Sequence, residues 1–256
     1  MKFRVLYAGD SEVGGPANYL LAVLRQGGFR VTHVPPKHSL KMADVKREWD
    51  AVILSDYPAK SCSAQVQVEI SRCVGRGAGF LMVGGWASFS APWGLWQGSI
   101  LERILPIWCL GKDDRTNFFS GAAVIPKEPH SAFDPKIFRK LPMICGLNRV
   151  IAKDSGKVIL TSKPIWVRSS AGQLSASFKN KELPLLIMDQ NPKMRVAAYT
   201  SDFAPHWCGG LVDWGEKRLK LPVAPGIGVE VGDFYAKFII SLVNWLCGGS
   251  SSSPDF

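Results

Sequence analysis

The sequence predicts an α/β fold, in which a mostly parallel central sheet lies between two layers of helices. Two observations lead to this prediction. Short apolar segments alternate with helix-type segments through the first third of the chain, and each apolar segment ends in a turn. Residues 78–83 are apolar throughout and run into Gly84 and Gly85, as expected of a strand that is covered on both faces and leads into a sharp turn.

Four strands and three helices follow from the apolar spacing of this first part. Connections of this length favour right-handed crossovers and therefore parallel pairing. The carboxyl ends of the strands then meet at one edge of the sheet, where open α/β sheets build their sites. The strands are predicted at residues 4–8, 29–34, 51–54 and 79–83, and the helices at 16–26, 39–49 and 64–74.

The second part of the chain is predicted to form shorter elements. Residues 90–117 form an aromatic-rich insertion with a short helix at 99–105. Short strands follow, some of them joined as hairpins through turns such as 154–156. A last helix begins at the cap candidate Asp233 and packs its apolar face on the sheet. The strands are predicted at residues 122–125, 149–153, 157–161, 165–168, 185–188 and 195–199.

The chain is expected to form one domain over residues 1–249, followed by a disordered tail at 250–256. Its net charge is +10, but the lysines and arginines are dispersed, so we predict no nucleic-acid partner. No apolar stretch approaches the ~20 residues that span a bilayer, and no export signal is visible, which predicts a cytoplasmic protein without a membrane partner.

The cysteines and histidines show no metal-binding pattern. The six cysteines include no C-x-x-C pair, and the four histidines include no H-x-H or H-x-x-x-H pair. We therefore predict neither a metal site nor a cofactor. Cys109 and Cys208 are the cysteines expected in loops near the functional edge, and they are interpreted as incidental thiols because no base lies at a diagnostic spacing.

Polar and small residues follow the predicted strands at the edge where their carboxyl ends meet. An aspartate at such a position can bind a hydroxyl-rich ligand or a cation, or it can cap the next helix or close an Asx turn. We expect a small-molecule ligand at this edge. The predicted ligand-binding residues are Asp10, Ser11, Ser55, Asp56, Gly85, Trp86 and Trp207.

His206 follows a predicted strand end, four positions after Asp202. A carboxylate-oriented imidazole could act as a general base, which would suit a hydrolase or an acyl transferase that uses His206 with Asp202 or Asp56. The alternative is a loop histidine that packs beside Trp207.

The tryptophans of the insertion allow two interpretations. They could line one cleft for a flat ligand such as a sugar or a nucleoside, or the insertion could pack its own aromatic side chains onto the domain. A projecting aromatic insertion is also a candidate homo-oligomer interface. The tryptophans concerned are Trp86, Trp93, Trp96 and Trp108, with Trp207 and Trp214 from the end of the chain.

Four segments together resemble the glutamine amidotransferase-like proteins, which are bacterial members of the class I glutamine amidotransferase-like superfamily, near the trehalose-utilisation-type domains. These segments are residues 5–11, 51–56, 79–89 and 200–207. The resemblance implies a flavodoxin-like three-layer sandwich.

True amidotransferases of this superfamily use a cysteine nucleophile on a strand-to-helix turn, a histidine base and an acidic partner. The comparable turn here, at residues 84–86, contains no cysteine, and Ser88 lies beyond it. The sequence therefore predicts an amidotransferase-like domain that lacks the usual nucleophile and binds a small polar ligand or a partner at the strand ends.

Overall fold

The computed structural model of the chain describes residues 2–90, 92–191 and 193–249. The tail predicted at residues 250–256 lies outside these residues. Within the described residues, the α-helices are α1 (Ala17–Gln26), α2 (Met42–Val45), α3 (Ala64–Gly75), α4 (Ile100–Ile104), α5 (Pro205–Cys208) and α6 (Asp233–Leu246). The strands are β1 (Arg4–Gly9), β2 (Arg30–Val34), β3 (Ala51–Ser55), β4 (Gly79–Val83), β5 (Ile107–Cys109), β6 (Arg115–Pro126), β7 (Met143–Asn148), β8 (Val150–Ala152), β9 (Gly156–Ser170), β10 (Gln173–Phe178), β11 (Leu183–Asp189), β12 (Val196–Tyr199), β13 (Arg218–Ala224) and β14 (Ile227–Gly232).

A ten-stranded sheet runs through the molecule in the order β2-β1-β3-β4-β12-β11-β9-β6-β7, with β10 paired to β9. The first five strands of this order are parallel, and for β1, β2, β3 and β4 this pairing is as the sequence predicts. The remaining strands are antiparallel, so the prediction of a mostly parallel sheet is correct for only half of it. The reason is that the described residues between α4 and α5 contain no α-helix, and parallel pairing needs a crossover connection.

Side chains of the parallel strands alternate between two apolar cores, because successive residues of a strand point to opposite faces. Val5, Tyr7 and Ile53 lie in the core that contains α1 and α6. Leu6 and Val52 lie in the core that contains α3. The helices therefore cover the sheet on both sides, which is the expected three-layer arrangement.

Three local predictions are wrong. The helix predicted at 39–49 is reduced to Met42–Val45, which has a single buried residue, Val45, to anchor it. The strands predicted at 157–161 and 165–168 form one long strand, β9. The turn at 154–156 does not close a hairpin, because β8 pairs with β5 while β9 pairs with β11, β6 and β10.

The turn after β4 is held against the end of β12. The backbone N–H of Gly84 donates to the carbonyl oxygens of Tyr199, at 2.8 Å, and Ser201, at 2.9 Å. A Cβ atom at residue 84 would lie 2.2 Å from the backbone oxygen of Thr200. Glycine is therefore required here by the close approach of two backbones.

We expect Gly84→Ala to lower the free energy of unfolding by roughly 2–3 kcal/mol, the scale of an overpacked core. The atom that the new Cβ would meet is the backbone oxygen of Thr200, which cannot rotate away as a side chain could. Gly75→Ala is the matched control, since no atom lies within 4 Å of its added Cβ and alanine favours the helix. Chemical denaturation measures both variants. Equal stability of the two would show that the strand ends can separate without cost.

Candidate functional site

Two aspartates follow neighbouring parallel strands in the left-handed backbone conformation. Asp10 follows β1 with a φ of 56°, and Asp56 follows β3 with a φ of 45°. This conformation is uncommon for residues other than glycine, although aspartate is among those that adopt it most readily. It turns the chain sharply at the end of each strand, and both side chains line the same cavity.

The Asp10 carboxylate is held by two hydroxyl groups from beneath it. The Tyr7 hydroxyl donates to Asp10 Oδ2, and the Ser55 hydroxyl donates to Asp10 Oδ1 over 3.1 Å. The backbone N–H of Asp10 also donates to the Ser55 carbonyl oxygen, at 2.8 Å. Burial raises the pKa of the Tyr7 phenol well above its ordinary value, so Tyr7 remains a donor throughout the neutral range.

Asp56 ties the end of β3 to the turn that follows β4. Its Oδ1 accepts a hydrogen bond from the backbone N–H of Ala87, and its own N–H donates to Ser88 Oγ over 3.1 Å. Gly85 lies so close that a Cβ there would be 2.5 Å from Asp56 Oδ1. Ser88 is itself buried and donates to the Val83 carbonyl oxygen, so its hydroxyl serves the turn.

Asp202 follows β12, which adjoins β4 in the sheet, and it is buried. Its Oδ1 accepts a hydrogen bond of 2.9 Å from the backbone N–H of Ala204. Asp202 thus closes a short turn, and its carboxyl group also reaches the cavity that Asp10 and Asp56 line.

We call this cavity the strand-end cleft. It has a volume of about 610 Å³, and its surface is mainly apolar apart from the three carboxyl groups. A volume of this size is within the range of small-molecule sites. The lining residues are Asp10, Pro16, Tyr19, Asp56, Trp86, Trp93, Asp202, Ala204, Pro205 and His206.

The three carboxyl groups resist ionisation together. Burial raises the pKa of Asp10 well above its ordinary value, and the charge of Asp202 adds to this effect. Burial, with the charge of Asp56, raises the pKa of Asp202 to about 7. Burial also raises the pKa of Asp56. Because like charges and desolvation both favour the neutral form, the cleft retains at least one carboxyl proton near neutral pH.

Trp86 and Trp93 line one side of the strand-end cleft, which we call the aromatic wall. Trp86 contacts several other groups. Its ring lies 5.5 Å from that of Trp93 and 6.0 Å, edge-on, from the imidazole of His206. The guanidinium carbon of Arg115 lies 4.5 Å from the Trp86 ring centroid. Trp93 is 55% exposed, so a flat surface remains available at the mouth of the cleft.

Asn148, at the end of β7, supports the turn from behind. Its Oδ1 accepts from the Gly85 N–H over 2.9 Å, and its Nδ2 donates to the buried carboxylate of Asp114 over 2.8 Å. Sequence reasoning missed Tyr7, Asn148 and Asp114. Tyr7 lies inside an apolar strand and β7 was not predicted, so no local pattern marks any of them.

The structure brings together most of the predicted site residues but not all of them. Ser55 and Gly85 do not line the cleft; Ser55 donates to the Asp10 carboxyl group, and Gly85 lies against Asp56. Ser11 remains outside, where its hydroxyl accepts from the N–H of Ala17 at the start of α1. Trp207 is buried away from the cleft, and its indole donates to Asn117 Oδ1 over 2.9 Å.

His206 lies exposed at the rim of the cleft. Among the described residues, no hydrogen bond joins His206 to Asp202, whose Oδ1 is occupied by the Ala204 N–H. The charge of His206 partly offsets the effect of burial on the pKa of Asp56. The predicted pair of His206 with Asp202 is therefore not assembled, although both residues line one cavity.

Two of the remaining tryptophans belong to the packing of the domain, and the third, Trp108, is exposed. Trp96 is buried and donates to the Tyr57 carbonyl oxygen over 2.9 Å, and Trp214 is buried and donates to the Lys140 carbonyl oxygen over 2.6 Å. Trp108 lies beneath the Lys153 ammonium group at 4.0 Å. The insertion therefore contributes to the cleft, where Trp93 lies beside Trp86, and to the packing of the domain, where Trp96 is buried.

In the part of the chain that the structure describes, no group of three or more histidine, cysteine or acidic side chains is arranged to hold a metal ion. Within the same residues, no helix has both the length and the apolar character needed to cross a membrane.

A half-parallel sheet covered by helices, with its cleft at the carboxyl ends of β1, β3, β4 and β12, defines an open α/β protein that carries its candidate site at the strand ends. A family model described as "Putative glutamine amidotransferase" matches residues 9–221. The chain belongs to this family. Among curated proteins, none matches the sequence.

Solved structures share the fold over nearly the whole chain. The cytoplasmic protein STM3548 of Salmonella typhimurium is 21% identical, with a TM-score of 0.70 over 97% of this chain and 99% of that one. The cytoplasmic protein STM1381 of Salmonella typhimurium LT2 is 22% identical, with a TM-score of 0.68 over 96% and 99%. A ThuA-like protein of Parabacteroides merdae is 10% identical, with a TM-score of 0.55 over 98% and 92%. These similarities confirm the predicted three-layer sandwich.

The raised pKa of Asp202 predicts a stability that depends on pH. The folded protein binds the proton of the Asp202 carboxyl group more tightly than the unfolded chain does. The contribution of this group to the free energy of unfolding is therefore largest below about pH 4 and falls as the pH rises to about 7. We expect Asp202→Asn, which keeps an oxygen acceptor for Ala204, to reduce this slope and to raise the free energy of unfolding above pH 7 by about 1–4 kcal/mol.

Denaturant unfolding at several pH values measures this effect. Asp154→Asn, at an exposed aspartate, is the control and should leave the wild-type profile unchanged. A profile for Asp202→Asn that is parallel to that of the wild type would mean that Asp202 ionises normally in the folded protein.

Proposed function

We propose that the protein is an amidotransferase-like domain that lacks the cysteine nucleophile and binds a small polar ligand in the strand-end cleft. The observation that carries this proposal is the composition of the cleft, where the carboxyl groups of Asp202, which is buried, and of Asp10 and Asp56, which are partly buried, lie beside an aromatic wall and no cysteine lines the cavity. Two proteins of the same fold, STM1381 and STM3548, are cytoplasmic proteins of a bacterium, which supports a cytoplasmic location and a bacterial origin for this chain.

The cysteines support the absence of amidotransferase chemistry. A nucleophilic cysteine needs an accessible thiol whose pKa is lowered by its surroundings. Five of the six cysteines are buried, and burial raises the pKa of each of these thiols. Cys145 is exposed, but it lies on β7 and does not line the cleft.

The chemistry of the cleft indicates the kind of ligand. Carboxyl groups that share protons can both donate and accept hydrogen bonds, which suits hydroxyl or amino groups. The faces of Trp86 and Trp93 suit a flat ring with apolar C–H groups. A monosaccharide or a nucleoside meets both requirements and fits within about 610 Å³.

Intact-mass analysis after incubation with an electrophilic glutamine analogue, together with an assay of ammonia release from glutamine, tests the absence of glutaminase chemistry. We expect no adduct on a cleft residue and no ammonia. An adduct mapped to one cysteine or serine, with ammonia released, would contradict the proposal. Adduct without ammonia on Cys145 would reflect its exposure alone.

Ligand binding is tested by titrating a panel of monosaccharides and nucleosides and following tryptophan fluorescence and heat. For the ligand that binds, Trp86→Ala should weaken affinity by at least ~1 kcal/mol, the scale of a lost aromatic contact. Trp108→Ala is the matched control, because Trp108 is an exposed tryptophan that does not line the cleft. Equal affinity of the two variants would assign Trp86 a purely structural role.

A second candidate function is that of a hydrolase or acyl transferase, and the pKa of about 7 at Asp202 is the observation that favours it. A carboxyl group with this pKa suits general acid or base catalysis near neutral pH. In this case His206→Ala should abolish turnover of an ester or amide probe without unfolding the domain. Full retention of activity in that variant would remove His206 from the mechanism.

A further inference from the structure

The three carboxyl groups of the strand-end cleft have no cationic partner within the described part of the chain. None of the ion pairs between described residues involves Asp10, Asp56 or Asp202. Their hydrogen-bond donors are neutral, since Asp10 accepts from two hydroxyl groups and the other two accept from backbone N–H groups. The chain has a net charge of +10, so cationic side chains are plentiful and lie elsewhere.

The surroundings of the cleft supply little positive charge. Among the described residues that line it there is no lysine or arginine, and His206 is the single basic side chain. His206 lies exposed at the rim, and its charge offsets only part of the effect of burial on the pKa of Asp56. Arg115 contacts the ring of Trp86 but does not line the cleft, and its guanidinium is paired with Asp113 at 2.8 Å.

Asp202 has an oxygen atom that is available to a ligand. The residue is only 9% exposed, and its side chain lines the cleft. Among the described residues, its Oδ1 accepts a hydrogen bond from the Ala204 N–H, whereas Oδ2 accepts none. A buried carboxylate is costly unless it is paired and hydrogen-bonded. A cation at Oδ2 would offset both burial and the charge of Asp56, which together raise the pKa of Asp202 to about 7.

The cleft discriminates between classes of charged ligand. A phosphate or carboxylate group would face three carboxyl groups without a lysine or arginine to bind it. In the described residues, the acidic side chains are not grouped in a way that could hold a metal ion. An ammonium group suits the cleft better, because its N–H donors point in different directions and can reach separate carboxyl oxygens.

The aromatic wall favours the same class of ligand. A cation within about 6 Å of the face of a tryptophan ring is attracted by the electrons of the ring. Trp86 already binds the Arg115 guanidinium in this way. Trp93 lies beside Trp86 and is 55% exposed, so its ring can contact a ligand. A ring that carries an amino group could therefore contact the aromatic wall and the carboxyl groups together.

We propose that the ligand of the strand-end cleft is an amino sugar or an amino nucleoside, whose protonated amino group binds at Asp202 and the carboxyl groups beside it. This inference rests on the proposed function, because it names the class of ligand that the same cleft takes. The ammonium group supplies the positive charge that the described residues of the cleft lack.

Titrations with matched pairs of ligands near neutral pH, followed by tryptophan fluorescence and heat, test this proposal. The pairs are glucosamine with glucose, galactosamine with galactose, and 3′-amino-3′-deoxyadenosine with adenosine. The two members of each pair differ only in an amino group that replaces a hydroxyl group. We expect the amino member of at least one pair to bind at least about tenfold more tightly than its neutral partner, because its hydrogen bonds to the carboxyl groups are charge-assisted.

Asp202→Asn should lower this preference for the amino member at least about threefold, because asparagine keeps an oxygen acceptor but carries no charge. Asp154→Asn, at an exposed aspartate, is the matched control and should keep the wild-type preference. Thermal unfolding checks that both variants are folded.

The outcomes separate this inference from the proposed function. Equal binding of the two members of every pair that binds would overturn the inference and leave a cleft that takes neutral ligands. The same preference in Asp202→Asn and Asp154→Asn would also overturn it, since the amino group would then bind away from Asp202. Binding by no member of any pair would count against the proposed function and against this inference with it.

Discussion

The close approach of the β4 turn to its neighbours is the constraint on which the functional edge depends. Gly84 leaves no room for a side chain beside the Thr200 backbone, and Gly85 leaves none beside Asp56. Asn148 fixes the same turn from the antiparallel half through the N–H of Gly85. This turn therefore contacts both the parallel and the antiparallel part of the sheet, and these contacts set the position of Trp86 and of the strand-end cleft.

The same crowding gives the cleft its electrostatic character. Strand ends that lie this close bring Asp10, Asp56 and Asp202 out of water and near one another, and each effect favours the neutral carboxyl group. Their oxygens are partly occupied by structural donors, namely hydroxyl groups at Asp10 and backbone N–H groups at Asp56 and Asp202. The aspartates are thus both supports of the turns and the polar groups that the cavity presents.

The parallel half of the fold could be predicted from the sequence because its apolar strands and helical periods are local signals. The strand ends followed from these elements, so Asp10, Asp56 and Trp86 could be placed at one edge. The antiparallel half could not be predicted in the same way, because the pairing of β9 with β6 and β11 depends on contacts between distant residues. For the same reason, no signal in the sequence marks Asn148. The sequence predicts Trp207 as a residue of the cleft, but Trp207 is buried and does not line the cavity.

A carboxyl proton that is retained near neutral pH has a consequence for the thermodynamics of ligand recognition. A ligand that brings an ammonium group against Asp202 would release this proton to the buffer, whereas a neutral sugar would leave it in place. The heat of binding of a cationic ligand would then vary with the ionisation enthalpy of the buffer, and that of a neutral ligand would not. Because of the carboxyl cluster, the heat of binding measured in different buffers would distinguish a cationic ligand from a neutral one.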